Sequence, residues 1–550
     1  MKQTKRIISL LLVLVMALGL FAGCGKKEDE KVTNNGPRKL VVGINQKATI
    51  PDYETNAYTV MLERETGIEI EFFFFASSAD HYKQQLTLMC TSGDELPDVL
   101  LLSGMGHYIV NQFGEDGFLQ DLTPYIKDMK NYQAALKKID KPTAAFIEEK
   151  LVNTEDGKIY GMPSVQSSDE KFMDAKQSNV YINKKWLDKL GLKVPTNIKE
   201  LETVARAFAT KDPNGDGVYD EVPILGNIGA AEWILNAFIE YQSGKPNVKN
   251  GKVWNPVTTK EFRQGVTYLN KLASEGLFNT LGMTIISTEI KNLVSPLQGV
   301  GKVGIICGHH ETFSNASMNA IADYVAVGNL ADETGKGGYS VWTDEELRVG
   351  AMVTKDCKNV ELAMEFLDFG YTDLNTTSIR YGEKGVDWVE DDGTNAYGTH
   401  SNFFVKNTQA HFDMSTNKTW GQDTGLPVFV TWENYMPVVK DGDTGYTGNV
   451  ARLHGEQVDV GHNTGKVRKE TANQMAYTKE EYDIREAKAG LYYSEIGTML
   501  QLCIAGERDP KSDKVWDDFY KTLKTLGEDE ITKVEQSAYA RKAERLKNLK

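Results

Sequence analysis

Three strand patterns and two helix patterns alternate at the start of the folded part of the chain, between residues 39 and 104. The apolar strands read "KLVVGIN", "IEIEFFFF" and "PDVLLLSG", and the helices between them read "NAYTVMLERETG" and "ADHYKQQLTLMCTSGD". A β-α-β-α-β order predicts a doubly wound parallel sheet, because parallel strands need helical crossovers. Ligands of such sheets bind beyond the carboxyl ends of the strands, which makes Ser103, Gly104 and Tyr108 candidates for ligand contact.

The rest of the chain continues with further strands and helices. Helical patterns dominate from Asn183 to Leu281, and apolar strands return at residues 302–308 and 323–330. A chain of 550 residues is too long for a single core, so we expect two α/β lobes built from discontinuous segments, with a ligand cleft between them. The predicted boundaries are 38–162 plus about 308–360 for the first lobe, and 163–307 plus about 361–550 for the second.

The amino terminus has the features of an export signal. Three basic residues precede an apolar run at residues 7–21, which is too short to span a bilayer comfortably. The run leads into "LFAGC", which resembles the lipobox of bacterial lipoproteins. We therefore expect a signal peptide at residues 1–23, lipidation of Cys24 and a flexible tether over residues 24–37. An ordinary cleaved signal, with Cys24 unmodified, is the alternative.

Charge and cysteine spacing exclude several classes of partner and site. Without residues 1–23 the chain has 59 basic and 77 acidic residues, a net charge of −18. Such a surface repels phosphate groups, which argues against nucleic acid or anionic lipid as a partner. Four further cysteines are widely spaced without a CxxC pair, so we expect buried side chains rather than a metal or disulfide framework: Cys90, Cys307, Cys357 and Cys503.

An acidic loop, "DPNGDGVYDE" at residues 212–221, has the donor spacing of a calcium turn. Asn214 and Asp216 follow Asp212 at positions 3 and 5, and Gly217 permits a sharp turn at position 6. An EF-hand would have a bidentate Glu at position 12, which is Pro223 here. The pattern therefore predicts a shortened calcium turn.

Oxygen donors without His or Cys favour Ca²⁺ over zinc or copper. The predicted ligands are Asp212, Asn214, Asp216, the Val218 carbonyl, Asp220 and Glu221. No general base or water-activating position is evident nearby, so we expect the ion to be structural. The same residues also suit a pair of tight Asn-Gly and Asp-Gly turns without any metal.

The longer stretch "YINKKWLDKLGLKVPTNIKELETVARAFATKDPNGDGVYDEVPI" resembles a hallmark of family 1 extracellular solute-binding proteins of bacterial ABC sugar importers. "GKIYGMPS", "GVGKVGIICG" and "RYGEKGVDW" resemble further segments of that family, although Lys384 replaces the Glu of its YGxEGxxW loop. The resemblance is closest to the large oligosaccharide-binding branch that includes the alginate-oligosaccharide-binding proteins. It implies a two-lobed periplasmic-binding-protein-like fold and a structural Ca²⁺ held by the ligands named above.

A sugar presents apolar ring faces and a rim of hydroxyls, so its site needs flat aromatic side chains beside amides and carboxylates. Trp388, which ends the YGxEGxxW-like loop, is the predicted stacking residue, and Tyr381 is a weaker candidate in the same loop. A packing role is the alternative for Trp388. Further candidates, chosen from their position at strand ends or lobe edges, are His309, His310, Glu311, Tyr108, Ser164, Gln166, Trp233, Trp342 and Trp432.

The sequence thus predicts a lipid-anchored, extracytoplasmic monomer that closes around an oligosaccharide and delivers it to membrane permease subunits. We expect no catalysis, because Walker A, GxSxG, paired CxxC and zinc motifs are absent from the sequence. Two alternatives stay open. A glycoside hydrolase needs only two well-placed carboxylates, and a calcium-stabilised surface adhesin needs no cleft. The sequence does not indicate which sugar is bound.

Overall fold

The computed structural model describes residues 38–153, 155–166, 180–285, 287–296, 299–308, 320–340, 348–395, 398–407, 414–421, 424–440, 446–464, 466–467, 470, 472 and 475–548. The expected signal peptide, Cys24 and the tether lie outside these ranges. Within them, none of the helices combines the length and the apolarity that a bilayer span requires.

The strands among the described residues are β1 (Lys39–Asn45), β2 (Glu69–Phe75), β3 (Val99–Leu101), β4 (Met162–Pro163), β5 (Val165–Gln166), β6 (Val180–Asn183), β7 (Val222–Leu225), β8 (Asn247–Lys249), β9 (Lys252–Trp254), β10 (Phe278–Asn279), β11 (Val303–Cys307), β12 (Tyr324–Ala326), β13 (Tyr339–Ser340), β14 (Val349–Val353), β15 (Trp388–Thr394), β16 (His400–Val405), β17 (Phe429–Val430) and β18 (Lys466–Val467).

The α-helices in the same ranges are α1 (Ala57–Thr66), α2 (Ala79–Ser92), α3 (His107–Glu115), α4 (Lys130–Lys138), α5 (Lys141–Leu151), α6 (Lys184–Leu190), α7 (Ile198–Thr210), α8 (Ile228–Leu235), α9 (Lys260–Ser274), α10 (Ser287–Val294), α11 (Val360–Phe369), α12 (Asp373–Tyr381), α13 (Trp432–Tyr435), α14 (Tyr446–Thr464), α15 (Lys479–Ala505), α16 (Asp513–Thr525) and α17 (Glu528–Asn548). Short 3₁₀ turns lie at Ile126–Asp128, Pro256–Thr258, Thr280–Met283, Ala320–Asp323 and Met414–Thr416.

The first sheet confirms the predicted β-α-β-α-β opening. β1 pairs in parallel with both β2 and β3, and the strand order is β2-β1-β3-β14-β4 with β14 antiparallel to its neighbours. Helix α1 ends at Gly67, whose φ of 65° suits a glycine at a helix C-terminus. The carboxyl ends of the three parallel strands, Asn45, Phe75 and Leu101, share one side of the sheet, which we term the first edge.

The second sheet has the order β10-β7-β11-β6-β12. β7 is parallel to β10 and β11, whereas β6 is antiparallel to β11 and β12. The carboxyl ends of its three parallel strands, Leu225, Asn279 and Cys307, form what we term the second edge. The four cysteines among the described residues are free and buried, as expected.

Each sheet has its own hydrophobic core. The first core gathers β1–β4 and β14 with helices such as α1, α2 and α11. The second gathers β6, β7 and β11 with α7, α9, α15 and α16. On α16, Trp516, Phe519 and Leu523 lie on one face, and all three are buried in the second core.

These cores divide the chain differently from the predicted boundaries. β12 pairs with β6 in the second sheet, whereas the sequence analysis assigns residues 308–360 to the first lobe. Helices α11 and α12 pack in the first core, whereas residues 361–550 are assigned to the second lobe. The apolar period of a helix indicates which face is buried but not which sheet buries it. We therefore term residues 38–166 with 348–440 the first body, and residues 180–340 with 446–548 the second body.

Candidate functional site

Asn45 places a buried polar group at the first edge. The residue is 8% exposed, and its Oδ1 has no hydrogen-bond partner among the described residues. In the loop that follows, the Lys47 Nζ donates to the Trp420 carbonyl at 3.0 Å. An unpaired buried acceptor costs about 1–3 kcal/mol, which makes Asn45 a candidate partner for a ligand hydroxyl. The sequence analysis missed Asn45, although it is the first polar residue after the apolar run of β1.

Asn227 joins two strand ends at the second edge. Its Nδ2 donates to the Cys307 carbonyl at 2.7 Å, and its Oδ1 accepts from the Ala230 amide at 2.9 Å and so caps α8. This capped helix begins directly beyond β7, so its side chains lie close to the second edge.

Glu232, on α8, is a titratable group that the sequence analysis missed. Its Oε1 accepts from the Ser243 amide at 2.7 Å, and burial raises the pKa of the carboxyl to about 7. The neighbouring Tyr241 hydroxyl is buried without a hydrogen bond of good geometry among the described residues. The half-buried Glu232 carboxyl is therefore a candidate partner for a sugar hydroxyl at the second edge. In the sequence, the only indication of a role for Glu232 is that it directly precedes the candidate Trp233.

Trp233 and Trp432 are core residues, which corrects their assignment as ligand candidates. Trp233 is 2% exposed, and its Nε1 donates to the Gly328 carbonyl at 3.0 Å. Trp432 is buried in the first core. In both cases the indole packs against apolar neighbours, which leaves no open ring face for a sugar.

Tyr108 and Ser164 have partners within the protein. The Tyr108 ring stacks on Tyr482 with centroids 3.7 Å apart and planes 14° apart, and its hydroxyl donates to the Tyr477 carbonyl. Ser164 is half-buried, and its amide donates to the Arg348 carbonyl at 3.0 Å. The neighbouring Gln166 lies in β5, which pairs with β17. Tyr108 therefore contacts the second body, and the roles of Ser164 and Gln166 in ligand binding stay predictions.

Trp388 and Tyr381 are buried in a small cluster, in place of the predicted stacking site. Trp388 is 4% exposed, its Nε1 donates to the Gly382 carbonyl at 2.9 Å, and its ring meets Phe403 edge-on. The Tyr381 hydroxyl donates to the Tyr435 carbonyl at 2.8 Å. Trp388 begins β15, and the paired strand β16 brings Phe403 and Val405 into the same buried cluster, so both residues have a packing role in this structure.

Four other candidates lie outside the described residues: His309, His310, Glu311 and Trp342. The first three directly follow β11, whose end belongs to the second edge. Their part in ligand binding stays a prediction.

The acidic loop is organised by its own side chains. Asp212 has a φ of 41°, and its two carboxylate oxygens accept from the Gly215 and Gly217 amides at 2.8 and 3.1 Å. The Asn214 Oδ1 accepts from the Asp216 amide at 2.9 Å. These bonds from side chains to backbone amides hold residues 212–217 in a tight loop.

The last two predicted ligands differ in their surroundings. Asp220 is partly exposed and pairs with Lys302. Glu221 is 8% exposed, and neither carboxylate oxygen makes a hydrogen bond of good geometry among the described residues. Burial raises the pKa of the Glu221 carboxyl above its ordinary value, and the charges of Asp212 and Asp216 raise it further, while nearby backbone amides offset part of the rise.

These contacts test whether the loop fits the expected calcium ion. The predicted donors are all oxygen atoms. The buried Glu221 carboxyl lies in the field of two more carboxylates, and a hard cation would relieve that repulsion. A stricter arrangement, three or more His, Cys, Asp or Glu side chains gathered around one point, is absent from the described part of the chain. The donor chemistry therefore fits calcium. In this structure, however, Asp220 pairs with Lys302 rather than with the other predicted ligands.

Residues 50–375 match a family model described as bacterial extracellular solute-binding protein. The chain is 26% identical over 315 residues to lipoprotein LipO of Bacillus subtilis, covering 56% of this chain and 57% of LipO. It is 24% identical over 402 residues to the fructooligosaccharide ABC transporter substrate-binding protein FusA of Streptococcus pneumoniae, covering 68% and 70%. The chain thus spans little more than half the length of LipO and about two thirds of FusA.

Solved structures extend the likeness to nearly the whole chain. An EF-hand mutant of S. pneumoniae FusA in complex with fructo-nystose has a TM-score of 0.71 and 20% identity, covering 92% of this chain and 99% of that chain. Alginate-binding protein AlgQ2 without calcium ion has a TM-score of 0.67 and 20% identity, covering 92% and 98%. These likenesses confirm the predicted two-lobed, periplasmic-binding-protein-like α/β fold. Because the family model matches more than half of the chain, this protein belongs to the family of bacterial extracellular solute-binding proteins.

Proposed function

We propose that this protein captures an oligosaccharide outside the cell membrane and delivers it to the permease subunits of an ABC importer. The observation that carries the proposal is the family match over residues 50–375 together with the relative FusA, which is named for fructooligosaccharide binding. A further relative from B. subtilis, YtcQ, is named a polygalacturonan/rhamnogalacturonan-binding protein. Since the relatives differ in the sugar named, the proposal is limited to the class of oligosaccharides.

Binding would use polar groups on both bodies. Asn45 offers an unpaired acceptor at the first edge, and Glu232 offers a carboxyl at the second edge. A ligand that contacts both edges favours the arrangement in which they approach each other, because its affinity for that arrangement is greater. The permeases would receive the protein in that ligand-bound form, as a monomer, and a separate ATPase would supply the energy for transport.

Titration calorimetry against a panel of short soluble oligosaccharides tests the proposal. We expect one-to-one binding of at least one sugar, which chromatography recovers unchanged. Asn45→Ala and Glu232→Gln should each weaken binding, whereas Glu390→Gln, at a side chain that is 75% exposed, should not. Shortening of the sugar would favour a glycoside hydrolase. Binding only to an insoluble polymer would favour an adhesin.

We also propose that the acidic loop binds one structural Ca²⁺. Asp212, Asn214, Asp216 and Glu221 would hold the ion, with the Val218 carbonyl and Asp220 completing the set once Asp220 leaves Lys302. The bound ion would offset the repulsion that Glu221 experiences from Asp212 and Asp216. Two structural relatives support the proposal by their descriptions, an EF-hand mutant of FusA and AlgQ2 without calcium ion.

Lipidation of Cys24 would anchor the protein to the outer face of the cell membrane. The relative LipO is named a lipoprotein, and the sequence "LFAGC" supplies the expected cleavage site. In cells that express the full chain, the wild-type protein should partition into detergent and Cys24→Ser should not. Equal partitioning of the two proteins would contradict the lipid anchor.

A further inference from the structure

Helices of the second body lie directly against helices of the first. The stacked Tyr108 and Tyr482 rings join α3 to α15, and the Tyr108 hydroxyl donates to the carbonyl of Tyr477, just before α15. Each ring is half-buried by this contact. A parallel aromatic stack with a hydrogen bond at one end favours one distance and one relative rotation of the two helices.

Two ion pairs extend the contact beyond the tyrosines. The Lys479 Nζ lies 3.2 Å from the Glu115 Oε2, and the Arg545 Nη1 lies 2.9 Å from the Glu149 Oε2. The Arg545 guanidinium also lies over the Phe146 ring, 4.8 Å from its centroid. Both cations belong to the second body and their partners to the first, so the charges as well as the rings connect the bodies.

The contact runs down the flank of the first body. Tyr108 follows shortly after β3, near the first edge. Beyond the other end of α3, Leu119 forms a β-bridge with Thr354. Thr354 directly follows Val353, which pairs with Val99 at the start of β3. Glu115 therefore lies towards the amino ends of the strands, away from the edge where ligands bind. Most of the contact is thus separate from the candidate sugar site.

The packing at this contact is loose and polar. A cavity with a volume of about 290 Å³ lies at this contact and is lined by residues of both bodies, among them Asn111, Gln112, Lys150, Asn153 and Tyr477. Tightly packed cores contain few voids larger than a water molecule. Exposed ion pairs contribute only about 0–1 kcal/mol each. Contacts of this kind can separate and re-form, which a rigid core cannot do.

We propose that these contacts form an interbody clasp that sets how much of the ligand-free protein is held in the arrangement of this structure. The clasp consists of Tyr108, Glu115 and Glu149 on the first body with Tyr482, Lys479 and Arg545 on the second. The clasp acts in the ligand-free protein. The fraction of molecules that it holds in this arrangement determines how much of the ligand's binding energy is used to move the bodies.

Distance measurements between spin labels test the clasp without any ligand. Leu88→Cys in the first body and Val300→Cys in the second provide exposed labelling sites, and Cys90, Cys307, Cys357 and Cys503 are buried. In the full chain with Cys24→Ser, we expect one dominant distance. Lys479→Glu should add a second distance, and the double variant Lys479→Glu/Glu115→Lys should return most molecules to the first. An unchanged distribution in Lys479→Glu would overturn the proposal, as would failure of the double variant to restore the distance.

The aromatic part of the clasp has its own matched control. Tyr482→Ala should shift the distance distribution, whereas Leu491→Ala, on the same helix and 65% exposed, should leave it unchanged. Thermal unfolding of each variant identifies any that fails to fold. Lys479→Glu alters a side chain that is 53% exposed, so its fold should be retained. Equal distributions for Tyr482→Ala and Leu491→Ala would also overturn the clasp. Since no sugar is used, failure here leaves the proposed transport function standing.

Discussion

Two loops of this protein carry functional motifs in the sequence, and their side chains have opposite surroundings in the structure. The acidic loop stays at the surface, where Tyr219 is 70% exposed and Asp216 uses its carboxylate on the loop's own backbone. The aromatic loop, residues 381–388, is folded inward, with Trp388 4% exposed and Tyr381 5% exposed. The acidic loop has the exposed surroundings that its predicted role needs, whereas the rings of the aromatic loop lack the open face that sugar stacking needs.

The difference follows from where each function is encoded. A calcium turn needs only the spacing of donors and a glycine that permits the turn, all within ten residues. A sugar-stacking ring needs an open face, which depends on segments elsewhere in the chain. Here Phe403 covers Trp388, and the Tyr435 carbonyl engages Tyr381. A local motif can therefore predict the spacing of oxygen donors, whereas exposure of an aromatic ring depends on tertiary packing.

Trp388→Ala should have the largest effect, and it should be an effect on stability. Removal of a buried tryptophan leaves a cavity and costs about 3–5 kcal/mol of unfolding free energy. Chemical denaturation measures this loss, and the exposed Tyr219→Ala should cost less than about 0.5 kcal/mol. The folded fraction of Trp388→Ala should bind sugar with wild-type affinity. A stable variant with weakened sugar binding would restore the stacking role and remove the contrast between the loops.

Loss of calcium should have the next largest effect. A ligand at 100 times its dissociation constant stabilises the folded state by about 2.7 kcal/mol, so a chelator should lower the Tm of the wild-type protein. In calcium, the Tm of Asp212→Ala should be lower than that of the wild-type protein, and the chelator should not lower it further. Asp517→Asn, at an exposed acid on α16, is the matched control. If Asp212→Ala matched the wild-type Tm in millimolar calcium, the acidic loop would be a plain pair of turns.

A smaller effect should appear in the pH dependence of the calcium-free protein. Because the pKa of Glu221 is raised in the folded state, the unfolded chain loses this proton first as the pH rises. The free energy of unfolding should therefore fall as the pH rises from the ordinary pKa of a glutamate through the raised pKa of Glu221. Glu221→Gln should flatten this part of the profile of Tm against pH, while Glu390→Gln should not. If Glu221→Gln and Glu390→Gln gave profiles of the same slope, the idea that folding raises the pKa of Glu221 would be contradicted.

Lys384→Ala should have the smallest effect. Lys384 replaces the Glu of the YGxEGxxW loop, pairs with Glu390 at the surface and lies 5.8 Å from the centroid of Trp388. Exposed pairs of this kind contribute about 0–1 kcal/mol. We expect sugar affinity to be unchanged in calorimetry. A clear loss would show that the aromatic loop contacts ligand through its charge although its rings are buried.

The parts of the fold that the sequence predicted are those set by local pattern. The strands β1 to β3 and the helices between them follow from apolar period and from capping residues such as Gly67. The sheet membership of β12 and α11 could not be predicted, because their amphipathic patterns would suit either core. Asn45 and Glu232 were missed for a related reason: only the fold shows that an ordinary amide and an ordinary acid lie at strand ends.

The central claim is that one sugar molecule contacts both bodies, at the first edge and at the second edge. Hydrogen–deuterium exchange with and without the sugar found by calorimetry tests it most directly. We predict that amides in the loop after β1, residues 45–56, and in the segment from Asn227 to Ser243 are protected together when the sugar is added. Protection confined to one body, or none in either segment at saturating sugar, would contradict it.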